Sequence, residues 1–158
     1  MDRVAFRPVT PDDLPLIEDW LNDPRVSRWW RGAPAQLAGI ADDLDEPAMR
    51  QWLVLLDGAP AAYVQFYPAH HYGAPHFKGL PPDTLAIDCF SGPPGFGNGA
   101  EWLDALAGRL LVESPVLAID PEPDNLRAIR AYQKAGFAGD ALLHSEDGTL
   151  ARVMTRHR

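Results

Sequence analysis

The chain has 158 residues, of which 46% are hydrophobic and 23% charged, enough for one domain with a sizeable core and ordinary for a soluble globular protein. A formal charge of −8 at pH 7 argues against a nucleic-acid partner, which calls for a basic face, and is compatible with a cationic substrate. The single cysteine, Cys89, excludes an internal disulfide and a cysteine-based metal cluster; with no apolar run of membrane-spanning length and no apolar signal core in MDRVAFRPVT, no membrane partner and a cytoplasmic location are expected.

Val4-Ala5-Phe6-Arg7 reads as a first strand. Thr10-Pro11-Asp12-Asp13 has the composition of a helix start, with Thr10 as N-cap, proline in the first turn and acids at the positive end of the dipole. Leu14, Ile17, Trp20 and Leu21 give that helix an apolar face up to Asp23-Pro24. A second short helix is expected over residues 24–30, where Trp29 and Trp30 must point in different directions, so that at most one enters the core. Residues 32–50 read as a loosely helical excursion whose acidic run at 42–46 is most simply a solvated face. Two strands, 52–56 and 61–67, are joined by the hairpin signal Asp57-Gly58. His70, His71 and His76 follow in a proline-rich loop with no carboxylate before Asp83, which speaks against a metal site; the loop is expected to lie over a substrate cleft.

The apolar run Leu85-Ala86-Ile87-Asp88-Cys89-Phe90 then leads into Gly92-Pro93-Pro94-Gly95-Phe96-Gly97-Asn98-Gly99, after which Trp102, Leu103, Leu106, Leu110 and Leu111 recur at helical spacing. The order is strand, glycine-rich loop, helix. Glycines let a backbone approach a ligand closely, and the free N–H groups of a helix start attract anions, so a diphosphate fits. A nucleoside triphosphate is disfavoured because Gly99 is followed by Ala100 and Glu101 rather than Lys and Ser/Thr. A dinucleotide site is disfavoured because the loop lies past the midpoint and only one residue separates Gly97 from Gly99. Coenzyme A remains the best-fitting ligand; for the loop alone, a plain turn between core elements stays open.

Val116-Leu117-Ala118-Ile119 is a buried strand ending at Asp120, a helix over 125–135 closes at Gly136, and residues 137–144 and 150–154 form a last hairpin turned by Glu146-Asp147-Gly148. The resulting order, β-α-α-β-β-β-α-β-α-β-β, implies one α/β domain over 1–158, with helices on both faces of a mixed sheet.

Asn125, Ala128, Tyr132, Lys134, Gly136 and Phe137, at their spacing from the glycine loop, resemble the second cofactor motif of the GNAT superfamily of acyl-CoA-dependent N-acyltransferases. The chain is closest to the aminoglycoside 6'-N-acetyltransferase branch in Glu18-Asp19-Trp20-Leu21-Asn22, Trp29-Trp30, Ile87-Asp88, Asp120-Pro121, residues 125–130 and Asp147-Gly148. The resemblance implies a mixed, mostly antiparallel sheet whose fourth and fifth strands splay around acetyl-CoA. Backbone groups of Cys89 and Phe90 would then hold the pantetheine, Gly95, Gly97, Asn98, Gly99 and Ala100 would cradle the pyrophosphate, and Asn125 and Tyr132 would flank the thioester. The chain departs from the family at Pro93 and Pro94, where Gln or Arg is usual, and in HHYGAPHFKGLPPD, where the antibiotic enzymes carry aromatic and acidic residues.

Acetyl transfer needs a neutral amine, a place for the oxyanion and a proton for the thiolate. Asp88, interrupting an apolar strand, is the candidate that binds the ammonium, orients it and accepts its proton; Tyr132 is the candidate donor to the thiolate. Trp29, Trp30 and Tyr67 are expected as walls of the acceptor site, with Asp120 and Asp147 adding negative charge. The expected partner is a small cationic amine such as an aminoglycoside or polyamine, taken by a monomer or homodimer. The alternatives are a siderophore-type or protein N-acyltransferase, or a non-catalytic acyl-CoA-binding module on the same fold.

Overall fold

The computed structural model describes residues 2–158. Seven strands form one sheet in the order β1-β2-β3-β4-β5-β7-β6, with β1 Val4–Pro8, β2 Arg50–Leu56, β3 Ala59–Pro68, β4 Leu85–Ser91, β5 Val116–Ile119, β6 Ala138–His144 and β7 Leu150–His157. The pairs β1–β2, β5–β7 and β6–β7 are antiparallel and β4–β5 is parallel, so the sheet is mixed as expected. The helices are α1 Leu14–Leu21, α2 Pro24–Ser27, α3 Ala33–Asp43, α4 Gly99–Leu110 and α5 Leu126–Lys134. The chain divides into two compact units: residues up to Gln65 with Cys89–Gly97, and Phe66–Asp88 with Asn98–Arg158.

In the first unit, α1 turns Ile17, Trp20 and Leu21 into a core shared with Ile40 of α3, Leu53 of β2 and Tyr63 of β3. The expected helix start at Thr10 is a 3-10 turn, Pro11–Asp13, whose Asp13 Oδ2 accepts from the Thr10 N–H (2.8 Å) before α1 begins. The expected second helix is shorter than read: α2 stops at Ser27 and leaves both tryptophans beyond it. The supposed loose excursion contains the 11-residue helix α3, set by Pro34 in its first turn and held at its far end by Gln51 Nε2, which donates to Ile40 O (2.8 Å) and Tyr63 Oη (3.1 Å). Its acidic end is less solvated than read, since Asp43 is half-buried and burial pushes its carboxyl up. The Asp57-Gly58 turn is confirmed, with φ of 50° and 85°, the two positive angles a type I′ hairpin needs.

In the second unit all four residues of β5 are buried, and α4 packs Trp102, Leu103, Leu106 and Leu110 inward at helical spacing. Asn125 caps α5 by accepting the Ala128 N–H (3.3 Å), and the helix closes at Gly136, φ 89°, with the Phe137 N–H on Tyr132 O (2.9 Å). Arg156 of β7 secures that end, its Nη1 donating to Ala135 O (2.8 Å) and to Asp104 (2.7 Å). The last strand runs past the expected Met154 to His157 because it pairs on both sides, with β5 and with β6.

Candidate active site

The parallel ladder of β4 on β5 pairs Leu85, Ala86 and Ile87 with Leu117, Ala118 and Ile119, and there it ends, while β4 continues to Ser91. The residue after the last pair is an aspartate on each strand, Asp88 and Asp120. Two chains that present only apolar side chains while paired therefore each present a half-buried carboxylate where they part. β3 adds Tyr67, whose hydroxyl donates to Asp88; burial, then the charges of Asp88 and Asp120, push its ionisation far up and keep the phenol a donor.

Asp120 has a second partner. Its Oδ2 lies 2.8 Å from Nε2 of His76, which a short 3-10 helix, Pro75–Phe77, buries to 5% exposure against the Phe77 ring at 4.1 Å. The hydrogen bond to Asp120 raises the His76 pKa above its usual value despite burial, and the charges of Asp120, Glu146 and Asp88 act in the same direction. Tyr67, His76, Asp88 and Asp120 thus form one cluster at the fork of the two strands.

Asn98 precedes α4 in the same unit, and Gly99 and Ala100 form the first turn of that helix, where backbone N–H groups lack intrahelical acceptors and carry the positive end of the dipole. On α5, Ala128 and Tyr132 lie three and seven residues beyond Asn125, which places them on one helical face. Tyr132 is half-buried.

In the other unit, the loop before α4 is folded as a 3-10 turn, Pro93–Gly95, with Gly95 N–H on Gly92 O (2.8 Å). Gly95 is buried against the backbone carbonyl of Ala61, so a Cβ there would collide with β3, whereas Gly97 sits at φ 86° in open space. Cys89 and Phe90 are buried. Phe90 meets Trp30 edge-on at 4.8 Å, and Trp30 packs on the core while Trp29 stays at its rim with Arg28 over its ring (4.9 Å). The divergence expected of adjacent tryptophans is what the chain adopts.

Asp147 lies in the exposed β6–β7 turn, where its Oδ1 accepts from Ser145 Oγ (2.5 Å), the Thr149 N–H (3.0 Å) and Thr149 Oγ1 (2.7 Å), holding its carboxyl low, at about 2. It forms the turn, and its neighbour Glu146 is the acid whose charge reaches Tyr67 and His76. Sequence reasoning missed Glu146 and gave His76 only a weighed-and-declined metal role. The signal for His76 was present but weak: a histidine beside an aromatic residue in a proline-rich loop, with its partner 44 residues away.

The sequence profile described as "Acetyltransferase (GNAT) domain" matches residues 10–143. An aminoglycoside N(6')-acetyltransferase type 1 from Klebsiella pneumoniae is 32% identical over 98% of this chain and 84% of its own length. The solved structure of AAC(6')-Ib with paromomycin and acetyl-CoA superposes with a TM-score of 0.83 at 29% identity, over 99% of this chain and 94% of that one. AAC(6')-Ib with coenzyme A and kanamycin gives 0.81 at 28% identity, over 98% and 95%.

Proposed function

Since the chain belongs to the GNAT acetyltransferase family, we propose that it transfers the acetyl group of acetyl-CoA to a primary amine of a cationic small molecule, the 6'-amine of an aminoglycoside being the acceptor its relatives' names supply. The observation that carries this reading is the fork of β4 and β5 with Asp88 and Asp120 at its two lips. Acetyl-CoA supplies the acyl group and a thiolate leaving group. The residues present suit such a ligand: a strand that runs on beyond its parallel ladder, an open glycine at Gly97, and the unfilled first turn of α4. Gly97, Asn98, Gly99 and Ala100 hold the pyrophosphate in this reading, with Gly95 shaping the loop behind them. Backbone groups of Cys89 and Phe90 bind the pantetheine and polarise the thioester carbonyl, and the NH2 of Asn125 and the hydroxyl of Tyr132 flank the thioester end.

Asp88 binds the acceptor's ammonium, turns it toward the carbonyl and takes its proton; Tyr67, donating to Asp88, fixes which oxygen faces the amine. Tyr132 gives a proton to the departing sulfur. Asp120 binds a further cationic or hydroxyl group of the acceptor, and Trp29 and Trp30 supply apolar walls. Asp147 acts by shaping the β6–β7 turn. The two units are read as one acetyltransferase domain, because the family profile runs continuously through both. Among the described residues no helix is long and apolar enough to cross a membrane. With an acetyl-CoA donor we place the protein in the cytoplasm, acting on free small amines rather than on nucleic acid or membranes, as a monomer or homodimer.

The test is thiol release from acetyl-CoA with kanamycin, spermidine and a peptide amine as acceptors. Kanamycin is expected to be turned over, and Asp88→Asn to lower its kcat by about 100-fold or more, the scale of a lost general base, with little change in acetyl-CoA affinity. Acetyl-CoA binding without acceptor-dependent release from any amine would identify a non-catalytic module, and equal loss of turnover and affinity in Asp88→Asn would make Asp88 structural.

A further inference from the structure

His76 has no part in the reaction just described, yet the fold encloses its ring beside a carboxylate that stays open. The side chain is 4% exposed against 23% for Asp120, so the imidazole cannot itself touch an acceptor and acts only through that carboxylate. An ionised carboxylate can only accept, so the 2.8 Å contact with Asp120 fixes a proton on Nε2. The other ring nitrogen, Nδ1, is buried with no hydrogen-bond partner among the described residues. Asp120 draws the ring's pKa up, but a second proton would have to sit on Nδ1, where burial offers it no acceptor. The arrangement suits the neutral ring, which donates one N–H and brings no charge.

We propose that His76 is a positioning residue: as a neutral Nε2–H donor it holds the Asp120 carboxylate in one orientation without cancelling its charge, so that Asp120 takes a second ammonium group of an acceptor whose reacting amine lies at Asp88. This rests on the acetyltransferase reading above and adds an acceptor class to it, amines that carry at least two ammonium groups. No Lys or Arg pairs with Asp120 among the described residues, and the side chain that hydrogen-bonds it is His76. Asp88 is served in the same manner, since the hydroxyl of Tyr67 donates to it and stays protonated. Two uncharged donors thus fix two carboxylates at the fork, and Glu146 adds its charge from the β6–β7 turn. A lysine or arginine in place of His76 would hold Asp120 and neutralise it together. The imidazole, carried on the 3-10 turn Pro75–Phe77 and packed on the Phe77 ring, reaches the carboxylate from inside; it takes Oδ2 and leaves Oδ1 to a ligand.

The experiment compares kinetics with kanamycin and with the mono-ammonium sugar 6-amino-6-deoxyglucose at pH 7.5, in the wild type, His76→Phe, His76→Gln, Asp120→Asn and the double variant His76→Phe/Asp120→Asn. His76→Phe should raise the kanamycin KM about fivefold, the scale of one partly exposed ion pair, and leave kcat, the acetyl-CoA KM and the KM of the mono-ammonium sugar within about twofold of wild type. His76→Gln keeps an uncharged N–H and should restore the kanamycin KM to within about twofold. In the Asp120→Asn background His76→Phe should add no further loss, because the residue through which it acts has been removed. An equal rise for both acceptors, no rescue by Gln, or full additivity in the double variant overturns the proposal. Nitrogen NMR of the full-length wild type is independent of turnover and of whether His76→Phe folds: at pH 7.5 the His76 ring should be neutral and protonated on Nε2, and an imidazolium or an Nδ1–H tautomer overturns the proposal. If the wild type acetylates no amine, the function reading has failed by itself. Kanamycin affinities of the same proteins by calorimetry then decide, and equal affinity in the wild type and His76→Phe overturns this proposal too.

Discussion

Arg7 Nη1 and Nη2 each lie 2.8 Å from one oxygen of Asp13, a two-pronged pair that ties β1 to the 3-10 turn ahead of α1. Asp13 is buried, and the Arg7 hydrogen bonds hold its pKa below that of a free aspartate, outweighing desolvation. A carboxylate whose folded pKa is depressed contributes stability that is present above the unfolded value of about 3.9 and is lost as pH falls through the folded one. Asp13→Asn is therefore expected to destabilise the protein at pH 7 by about 2 kcal/mol, discounted for the exposure of Arg7, and the gap to wild type should begin to narrow below about pH 4 and close as pH falls through the folded pKa. Denaturant melts at pH 7 and pH 3 check this; a gap of equal size at both would mean that packing, not charge, is lost. The same residue-by-residue logic separates the two aspartates expected to add negative charge to the acceptor site: Asp120 follows β5 with His76 Nε2 at 2.8 Å, whereas Asp147 accepts from Ser145 and Thr149 within its own turn.

The glycine loop shows how one element serves two purposes. Gly95 is required by the approach of Ala61, because a side chain there would meet β3 backbone that cannot move aside, whereas Gly97 is required by its positive φ and faces open space. Gly95→Ala should thus act on stability, lowering Tm by about 4–8 °C if the clash costs about 2 kcal/mol. Gly97→Ala should cost less, about 1 kcal/mol of backbone strain, and show its main effect as a raised KM for acetyl-CoA. Thermal melts beside acetyl-CoA kinetics distinguish them, and the reverse ranking would show that Gly95 rather than Gly97 faces the ligand. This division was invisible in the sequence, where both residues belong to one Gly-rich string. α3 was legible only as a loosely helical excursion: Ala-rich, with Gly39 inside it and Ile40 as its one buried residue, it lacks the wide apolar stripe that makes α1 and α4 plain.

Across the whole molecule, a ligand that binds only the native state stabilises it by mass action. Coenzyme A at one hundred times its Kd is worth about 2.7 kcal/mol, which for a chain of this size is a rise in Tm of about 5–10 °C. Thermal melts with and without coenzyme A test this, with adenosine as a ligand that lacks both diphosphate and pantetheine; equal shifts from both would remove the pyrophosphate site from the loop. The net charge of −8 does not by itself decide this binding, since the backbone N–H groups at the start of α4 carry the positive end of the helix dipole.

The sequence alone determined what depends on neighbours along the chain: the Asp57-Gly58 hairpin, the Gly136 closure of α5, the strand–loop–helix order around Gly97, and through the spaced Asn125–Phe137 motif the family itself. These are local because turn geometry, capping and helical periodicity involve residues a few positions apart. Only the tertiary structure decided that His76 is the partner of Asp120 and that Glu146, in the distant β6–β7 turn, adds its charge there. Those pairings join residues tens of positions apart, brought together by strand register and burial, and no local pattern encodes which distant carboxylate a buried imidazole will meet.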